Sequence, residues 1–129
     1  MIKNLIMKKG TTVGFTGGTD QTFRMDGISI PMGIHVADVS PENLTLQEHI
    51  TFKTRSPKLT GRVWSKAKRQ ISYVVPLLVD DEVVFNVIRQ EIEFHPRITT
   101  SRLATLRGNA AQLIAGSATN DFFNLGTLE

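Results

Sequence analysis

The stretch KRQISYVVPLLVDDEVVFNVIRQEIEFHP, residues 68–96, decides the fold, because two runs of alternating polar and apolar residues flank the acidic triplet DDE. Ile71 and Tyr73 share one side of the first run, and Ile88 and Ile92 share one side of the second. Side chains alternate between the two faces of a strand, so this pattern predicts two long strands with one apolar and one polar face. The triplet predicts the polar turn that joins them.

The residues before this stretch extend the sheet. Residues 44–55 alternate in the same way, and residues 28–36 alternate around a proline and a glycine, which predicts an edge or bulged strand. Further upstream, segments 11–16 and 21–25 flank a pair of glycines, which predicts a tight hairpin.

The period of the sequence changes after Pro96. Thr99 or Thr100 is a suitable N-cap for a helix that ends at Gly116, and a second short helix is predicted over residues 119–126. Several strands followed by helices predict an α+β fold with an antiparallel sheet. The chain is therefore predicted to be a single domain whose hairpin, five-stranded sheet and two helices occupy about residues 1–26, 27–95 and 99–126.

Composition narrows the classes of function. The chain has 129 residues, a formal net charge of +3 and no cysteine, which excludes disulfides, thiolate metal sites and cysteine nucleophiles. His35, His49 and His95 are scattered, without metal-ligand spacing or a nucleophile motif, and are interpreted as ordinary surface or strand-end residues. We predict no enzyme activity, no cofactor, no metal and no membrane segment or signal peptide.

Positive charge is concentrated between Glu48 and Asp80, where no acidic residue occurs. The strand period places polar and basic residues on the face opposite the apolar one, and a cationic sheet face favours a polyanion such as nucleic acid. The alternative to nucleic-acid binding is that this cationic face is an ordinary solvated surface. Glu91 and Glu93 fall on the same face near Arg89, where they either form ion pairs with the basic residues or restrict binding to part of the face.

The apolar face poses a packing problem. Two short helices from one chain offer limited cover for a sheet of this size, and a sheet edge left unpaired invites another strand. We therefore predict a homodimer, in which a second copy of the chain covers the apolar face.

The chain resembles the coat proteins of small single-stranded RNA bacteriophages, the levivirus group, in the order of its predicted strands and helices, in its length and in its residue types. The resemblance covers nearly the whole chain. It rests on TGGTD at residues 16–20, GIHVAD at 33–38, the strand at 50–55, RQISYVVP at 69–76 and EIEFHP at 91–96.

The resemblance implies a homodimer whose two sheets join edge to edge and whose helices cross the partner's sheet. Such dimers form an icosahedral shell, usually T=3, in the virion, which is assembled in the bacterial cytoplasm. The inward sheet face binds the single-stranded RNA genome and, in several members, an operator hairpin that controls replicase translation. The RNA-facing positions implied by matching strands are Thr51, Lys53, Arg55, Lys68, Gln70, Ser72, Arg89 and Glu91.

One segment departs from the family pattern, because residues 76–84 are too few for a long pore-lining loop. The rival hypothesis from another class is a cellular RNA-binding regulator that uses the same cationic sheet without forming a shell. An enzyme is a distant third hypothesis.

Overall fold

The computed structural model describes residues 6–9 and 14–126, and within them seven strands and two α-helices are present. The strands are β1 (Arg24–Ile30), β2 (Gly33–Ala37), β3 (His49–Arg55), β4 (Leu59–Thr60), β5 (Val63–Trp64), β6 (Ala67–Val79) and β7 (Glu82–Phe94). Five of them form one antiparallel sheet in the order β1-β2-β3-β6-β7, and β4 pairs with β5 in a separate hairpin. The predicted five-stranded antiparallel sheet is confirmed.

The two longest strands are those of the opening sequence stretch. β6 and β7 pair without interruption from Ala67 opposite Phe94 to Val79 opposite Glu82. Asp80 and Asp81 form the turn with φ angles of 50° and 63°, the left-handed conformation that a two-residue type I′ turn requires at both positions. The predicted polar turn is therefore confirmed, and Glu82 already belongs to the strand.

Proline often ends a strand, but Pro76 lies within β6. It pairs with Phe85 in the middle of the ladder. β3 reaches β6 only as far as Val74, so β6 has a neighbour on one side alone at Pro76. Proline is tolerated in such an edge segment because no ladder hydrogen bond is forgone on the open side.

The N-terminal strand assignments need correction. Of the hairpin predicted over residues 11–25, residues 11–13 lie outside the described residues, and no strand is present over residues 14–23. Gly17 and Gly18 do bend the chain with positive φ angles of 86° and 72°. Residues 14–23 contain only two apolar side chains, so they lack an apolar face that would hold a ladder against the sheet.

Residues 28–36, which were predicted to form one edge or bulged strand, belong to two strands, of which β1 lies at the edge of the sheet. β1 and β2 form a hairpin around residues 31–32, and the irregularity lies within β1, between Met25 and Ser29. β2 then approaches β3 closely, since a Cβ at Gly33 would lie 2.4 Å from the carbonyl oxygen of Phe52. Glycine is the residue that this approach permits.

β3 begins later than the alternation from residue 44 predicts. Leu44–Leu46 is a short 3-10 helix, and the side chain of Asn43 accepts a hydrogen bond from the backbone N–H of Thr45. This local capping contact competes with a strand conformation, which explains why the ladder starts only at His49.

The described residues divide into two compact units, one of residues 19–96 with the sheet, and one of the described residues up to Gly18 together with residues 97–126. In the second unit lie α1 (Thr100–Ala115), a 3-10 turn (Ser117–Thr119) and α2 (Asn120–Leu125). The Thr99 hydroxyl caps α1 by accepting a hydrogen bond from the Arg102 N–H, as predicted.

Gly116 and Gly126 end the two helices, which confirms the predicted limits; Gly126 has a φ of 69°, typical of a helix C-terminus. The Gln112 side chain fastens the N-terminal segment to α1, because it both accepts from the Lys8 N–H and donates to the Lys8 carbonyl at 2.8 Å. None of the described helices is long and apolar enough to cross a bilayer.

Candidate nucleic-acid interface

The strand register assembles the sequence-predicted site residues into adjacent rows on one face of the sheet. In one row Thr51 of β3 lies opposite Ser72 of β6, which lies opposite Arg89 of β7. The other rows run Lys53, Gln70, Glu91 and Arg55, Lys68, Glu93. All eight predicted positions therefore share this face, called here the polar face, while their role in RNA binding stays a prediction.

Two of the four basic residues of the polar face are paired with acids. Lys68 Nζ lies 2.6 Å from Glu91 Oε1, and Arg55 Nη2 lies 4.0 Å from Glu93 Oε1. The sequence left open whether these acids would form ion pairs, and the structure shows that they do. Exposed pairs of this kind contribute at most about 1 kcal/mol, so a phosphate can compete for the cation.

Lys53 and Arg89 have no acidic partner among the described residues. They are therefore the cations of the polar face that are most available to a polyanion. Phosphate groups bind such unpaired amino and guanidinium groups through charge-assisted hydrogen bonds.

A histidine pair at one end of the polar face was missed by sequence reasoning. His35 of β2 lies opposite Thr51, and its ring is 5.0 Å from that of His49, which begins β3. His35 is 8% exposed, and its Nδ1 lies 2.9 Å from Asp26 Oδ1. The interpretation of His35 as an ordinary surface histidine is wrong, because β1 brings a carboxylate over it. The alternation of residues 33–37 was the available signal, since it places His35 on the face of Thr51.

His49 is poorly suited to carry a proton. Burial lowers the pKa of His49 below its usual range and the neighbouring His35 lowers it further, although Asp26 acts in the opposite direction. Its Nδ1 is buried without a hydrogen-bond partner among the described residues. The folded protein therefore favours neutral His49.

We expect the folded protein to lose stability as the pH falls from 7 toward 5. Below the ordinary histidine pKa of about 6.5 the unfolded chain binds a proton that folded His49 resists, so the equilibrium shifts toward unfolding. Thermal denaturation of the purified protein at pH 5, 6 and 7 measures this. The His49→Leu variant should show a smaller fall in melting temperature, because its neighbours in register, Ala37 and Val74, are apolar. Parallel curves for the two proteins down to pH 5 would contradict the assignment, and their parallel behaviour between pH 7 and 8 is the control.

Tyr73 lies on the opposite face, as its phase predicts, and is not placed to stack on a base. Its hydroxyl donates to Glu48 Oε1 at 2.5 Å, and this hydrogen bond is the main reason that the pKa of Tyr73 is raised. Glu48 also accepts a hydrogen bond from Gln21, whose amide in addition donates to Asp38 at 2.9 Å. Tyr73 therefore helps to fasten the segment before β1 to the sheet.

The face that carries Tyr73 is apolar and incompletely covered in the single chain. Ile88 is 55% exposed and Phe52 is 42% exposed, and they belong to a set that crosses β2, β3, β6 and β7. The other half-exposed members are Ile34, Ile71, Leu77 and Val84. An exposed apolar surface that extends over four strands is typical of a protein that associates.

The end of the β6–β7 hairpin carries apolar side chains on both of its sides. Residues 75–86 continue beyond the end of β3 as a two-stranded ribbon. Leu77 lies there on the side of Tyr73, whereas Phe85, which pairs with Pro76 and is 60% exposed, lies on the side of the polar face. The outer edge of β7 pairs with no other described strand, so it offers backbone donors and acceptors along 13 residues.

The helical unit also leaves aromatic side chains uncovered. Phe122 and Phe123 contact each other edge to face, with ring centroids 5.1 Å apart, and Phe123 is 53% exposed. Leu106 and Ile114 of α1 are about half exposed as well. The apolar residues of the two helices are therefore not fully buried within the single chain.

Comparison with solved structures shows what the chain is similar to. A structure described as the virus-like particle of bacteriophage GQ-907 has 32% sequence identity and a TM-score of 0.88, over 99% of this chain and 98% of that one. Two further structures share the fold. The virus-like particle of bacteriophage AVE019 has 10% sequence identity and a TM-score of 0.63, over 84% of this chain and 96% of that one. The virus-like particle of Beihai levi-like virus 21 has 11% sequence identity and a TM-score of 0.57, over 86% of this chain and 97% of that one. No protein-family model and no curated protein matches the sequence.

Proposed function

The chain belongs to the coat proteins of levi-like bacteriophages, and from this premise we propose that it is a capsid protein that dimerises, assembles into the virion shell and encloses single-stranded RNA. The observation that carries the proposal is the match to the GQ-907 particle protein over essentially the full length of both chains. A coat protein is a structural protein, so this reading replaces the enzyme hypothesis.

The exposed apolar surfaces support the homodimer. The apolar face of the sheet and the apolar residues of α1 and α2 are each half exposed in one chain, which is the pattern expected when a second copy covers them. The unpaired edge of β7 supplies the backbone groups for joining two sheets edge to edge. Both features fit the arrangement that the family resemblance implies.

The polar face supports the RNA part of the proposal. In a shell built from joined sheets this face would turn inward, where Lys53 and Arg89 would contact phosphates and Thr51, Gln70 and Ser72 would donate or accept hydrogen bonds. Such cations offset part of the repulsion between phosphates of a packaged genome. A T=3 shell, assembly in the bacterial cytoplasm and repression of replicase translation through an operator hairpin are further parts of the proposal that rest on the family resemblance alone.

Expression in bacteria tests the proposal. We expect particles tens of nanometres across by electron microscopy, elution near the void volume in size-exclusion chromatography, and co-purifying RNA that resists added nuclease. Small dimers that bind RNA but form no shell under assembly conditions would favour the cellular regulator instead. Shells without protected RNA would retain the capsid function and remove the packaging function.

A further inference from the structure

The β4–β5 hairpin is a cationic segment that the polar face does not include. Its sequence over residues 57–66 is PKLTGRVWSK, with three basic residues and no acid. Lys58, Arg62 and Lys66 form no ion pair with any described residue. This differs from the neighbouring cations Arg55 and Lys68, which Glu93 and Glu91 partly neutralise.

The local structure fixes where these charges lie. Thr60 pairs with Val63, so Gly61 and Arg62 form a two-residue turn, and Gly61 has a φ of 64° at the first central position. Glycine at that position is the requirement of a type II′ turn, which places Arg62 at the tip. Lys58 and Ser65 close the base through two hydrogen bonds of 2.8 Å, one between backbones and one from the Lys58 N–H to the Ser65 hydroxyl. Lys58 and Lys66 therefore flank the base.

Trp64 holds the hairpin together. It lies opposite Leu59 in the short ladder and is the least exposed large apolar residue of the segment. A cross-strand aromatic–aliphatic pair of this kind stabilises a hairpin by up to about 1 kcal/mol. The register makes Trp64 a packing residue.

The position of the hairpin makes it continuous with the polar face. It connects β3, whose last residue is Arg55, to β6, whose second residue is Lys68, and these two residues form the last basic row of that face. At about 3.3 Å per residue, the tip at Arg62 lies within about 25 Å of Arg55, which is the span of a few nucleotides. The hairpin is therefore connected directly to the end of the polar face that this row forms.

We propose that the β4–β5 hairpin is a second RNA-contacting element, in which Lys58, Arg62 and Lys66 bind phosphates of single-stranded RNA beyond the polar face. The proposal rests on the proposed function, because it requires that the polar face binds RNA. The contact joins the unpaired cations of a hydrogen-bonded hairpin to phosphates and includes no recognition of bases. It is therefore independent of RNA sequence.

Salt dependence of binding tests the proposal directly. The full-length protein is titrated with a fluorescent 20-nucleotide RNA without self-complementarity over a series of salt concentrations. Since each phosphate contact with a single strand contributes about 0.7 to the slope of log K against log salt, replacing Lys58, Arg62 and Lys66 with glutamine should reduce the slope by about 2. The charge-preserving variant Lys58→Arg, Arg62→Lys, Lys66→Arg should retain the slope.

The outcomes separate this inference from the function on which it depends. An unchanged slope in the glutamine variant, together with a reduced slope when Lys53 and Arg89 are replaced, would overturn the hairpin proposal alone. If the unmodified protein shows no salt-dependent binding, the RNA-binding function itself fails. Circular dichroism checks the fold, and Arg62→Gln alone, at the exposed tip, repeats the test with an expected reduction of about 0.7 if the triple variant does not fold.

Discussion

Replacing Ile88 with aspartate is expected to leave the chain folded and to abolish its assembly into particles. Ile88 is 55% exposed in the single chain, so a carboxylate there remains in water and affects folding little. If a second copy covers the apolar face, however, the same carboxylate is removed from water without a cation beside it. Burial of an unpaired charge is opposed by at least several kcal/mol, which is more than a thousandfold in an association constant at 5 kcal/mol.

Ile88→Val provides the matched control, because it keeps an apolar β-branched side chain and removes one methylene. Its particles should form as in the unmodified protein, with a stability lower by about 1 kcal/mol. Size-exclusion chromatography and electron microscopy measure assembly, and circular dichroism measures folding. Normal particles from Ile88→Asp would show that this part of the sheet stays exposed after association, which would contradict the proposed dimer.

The second large effect concerns RNA binding by the polar face. Replacing Lys53 and Arg89 together with glutamine should reduce the slope of log K against log salt by about 1.4 and weaken binding at every RNA sequence tested. These two residues are chosen because they lack an acidic partner among the described residues. Protected RNA per particle should fall in parallel, as judged by the ratio of absorbance at 260 and 280 nm.

The Glu91→Gln variant should act in the opposite direction. Glu91 holds Lys68 in the 2.6 Å ion pair, so neutralising it releases Lys68 and removes a negative charge from the polar face. Tighter RNA binding and a slope that increases by about 0.7 are expected. If both substitutions weaken binding equally, charge on this face does not control RNA affinity, and the effects would have to come from altered folding.

The alternation of residues predicted which side chains share a face, and the structure confirms that part. A two-residue period decides the face of every side chain once a segment is recognised as a strand. Lys53 and Gln70, 17 positions apart in sequence, could therefore be assigned to one face without knowledge of the pairing. Their direct opposition depends on register, which the irregular connection between β3 and β6 sets and the local sequence does not reveal.

The register of β6 and β7 was in principle accessible. A turn of two residues at Asp80 and Asp81 determines every pair in the ladder, including Gln70 opposite Glu91. The sequence indicated a turn but not its length, and that length decides whether Glu91 is a neighbour of Lys68. The burial of His35 could not be predicted from the local sequence. It depends on the irregular segment of β1, which places the Asp26 carboxylate beside His35 of β2.

The strands of the sheet lie in the same order as in the chain, and this order affects how the protein folds. Each ladder joins strands that follow one another in the chain, apart from the short β4–β5 insertion, so no strand waits for a distant partner. Such a meander has a low contact order for an all-antiparallel sheet and is expected to fold quickly. In the proposed dimer a second copy covers the apolar face, and that step requires a collision between two molecules, whose rate depends on concentration. Dilution should thus slow maturation of the dimer while leaving formation of the sheet unchanged, and association becomes the slow step through which protein level governs the yield of particles.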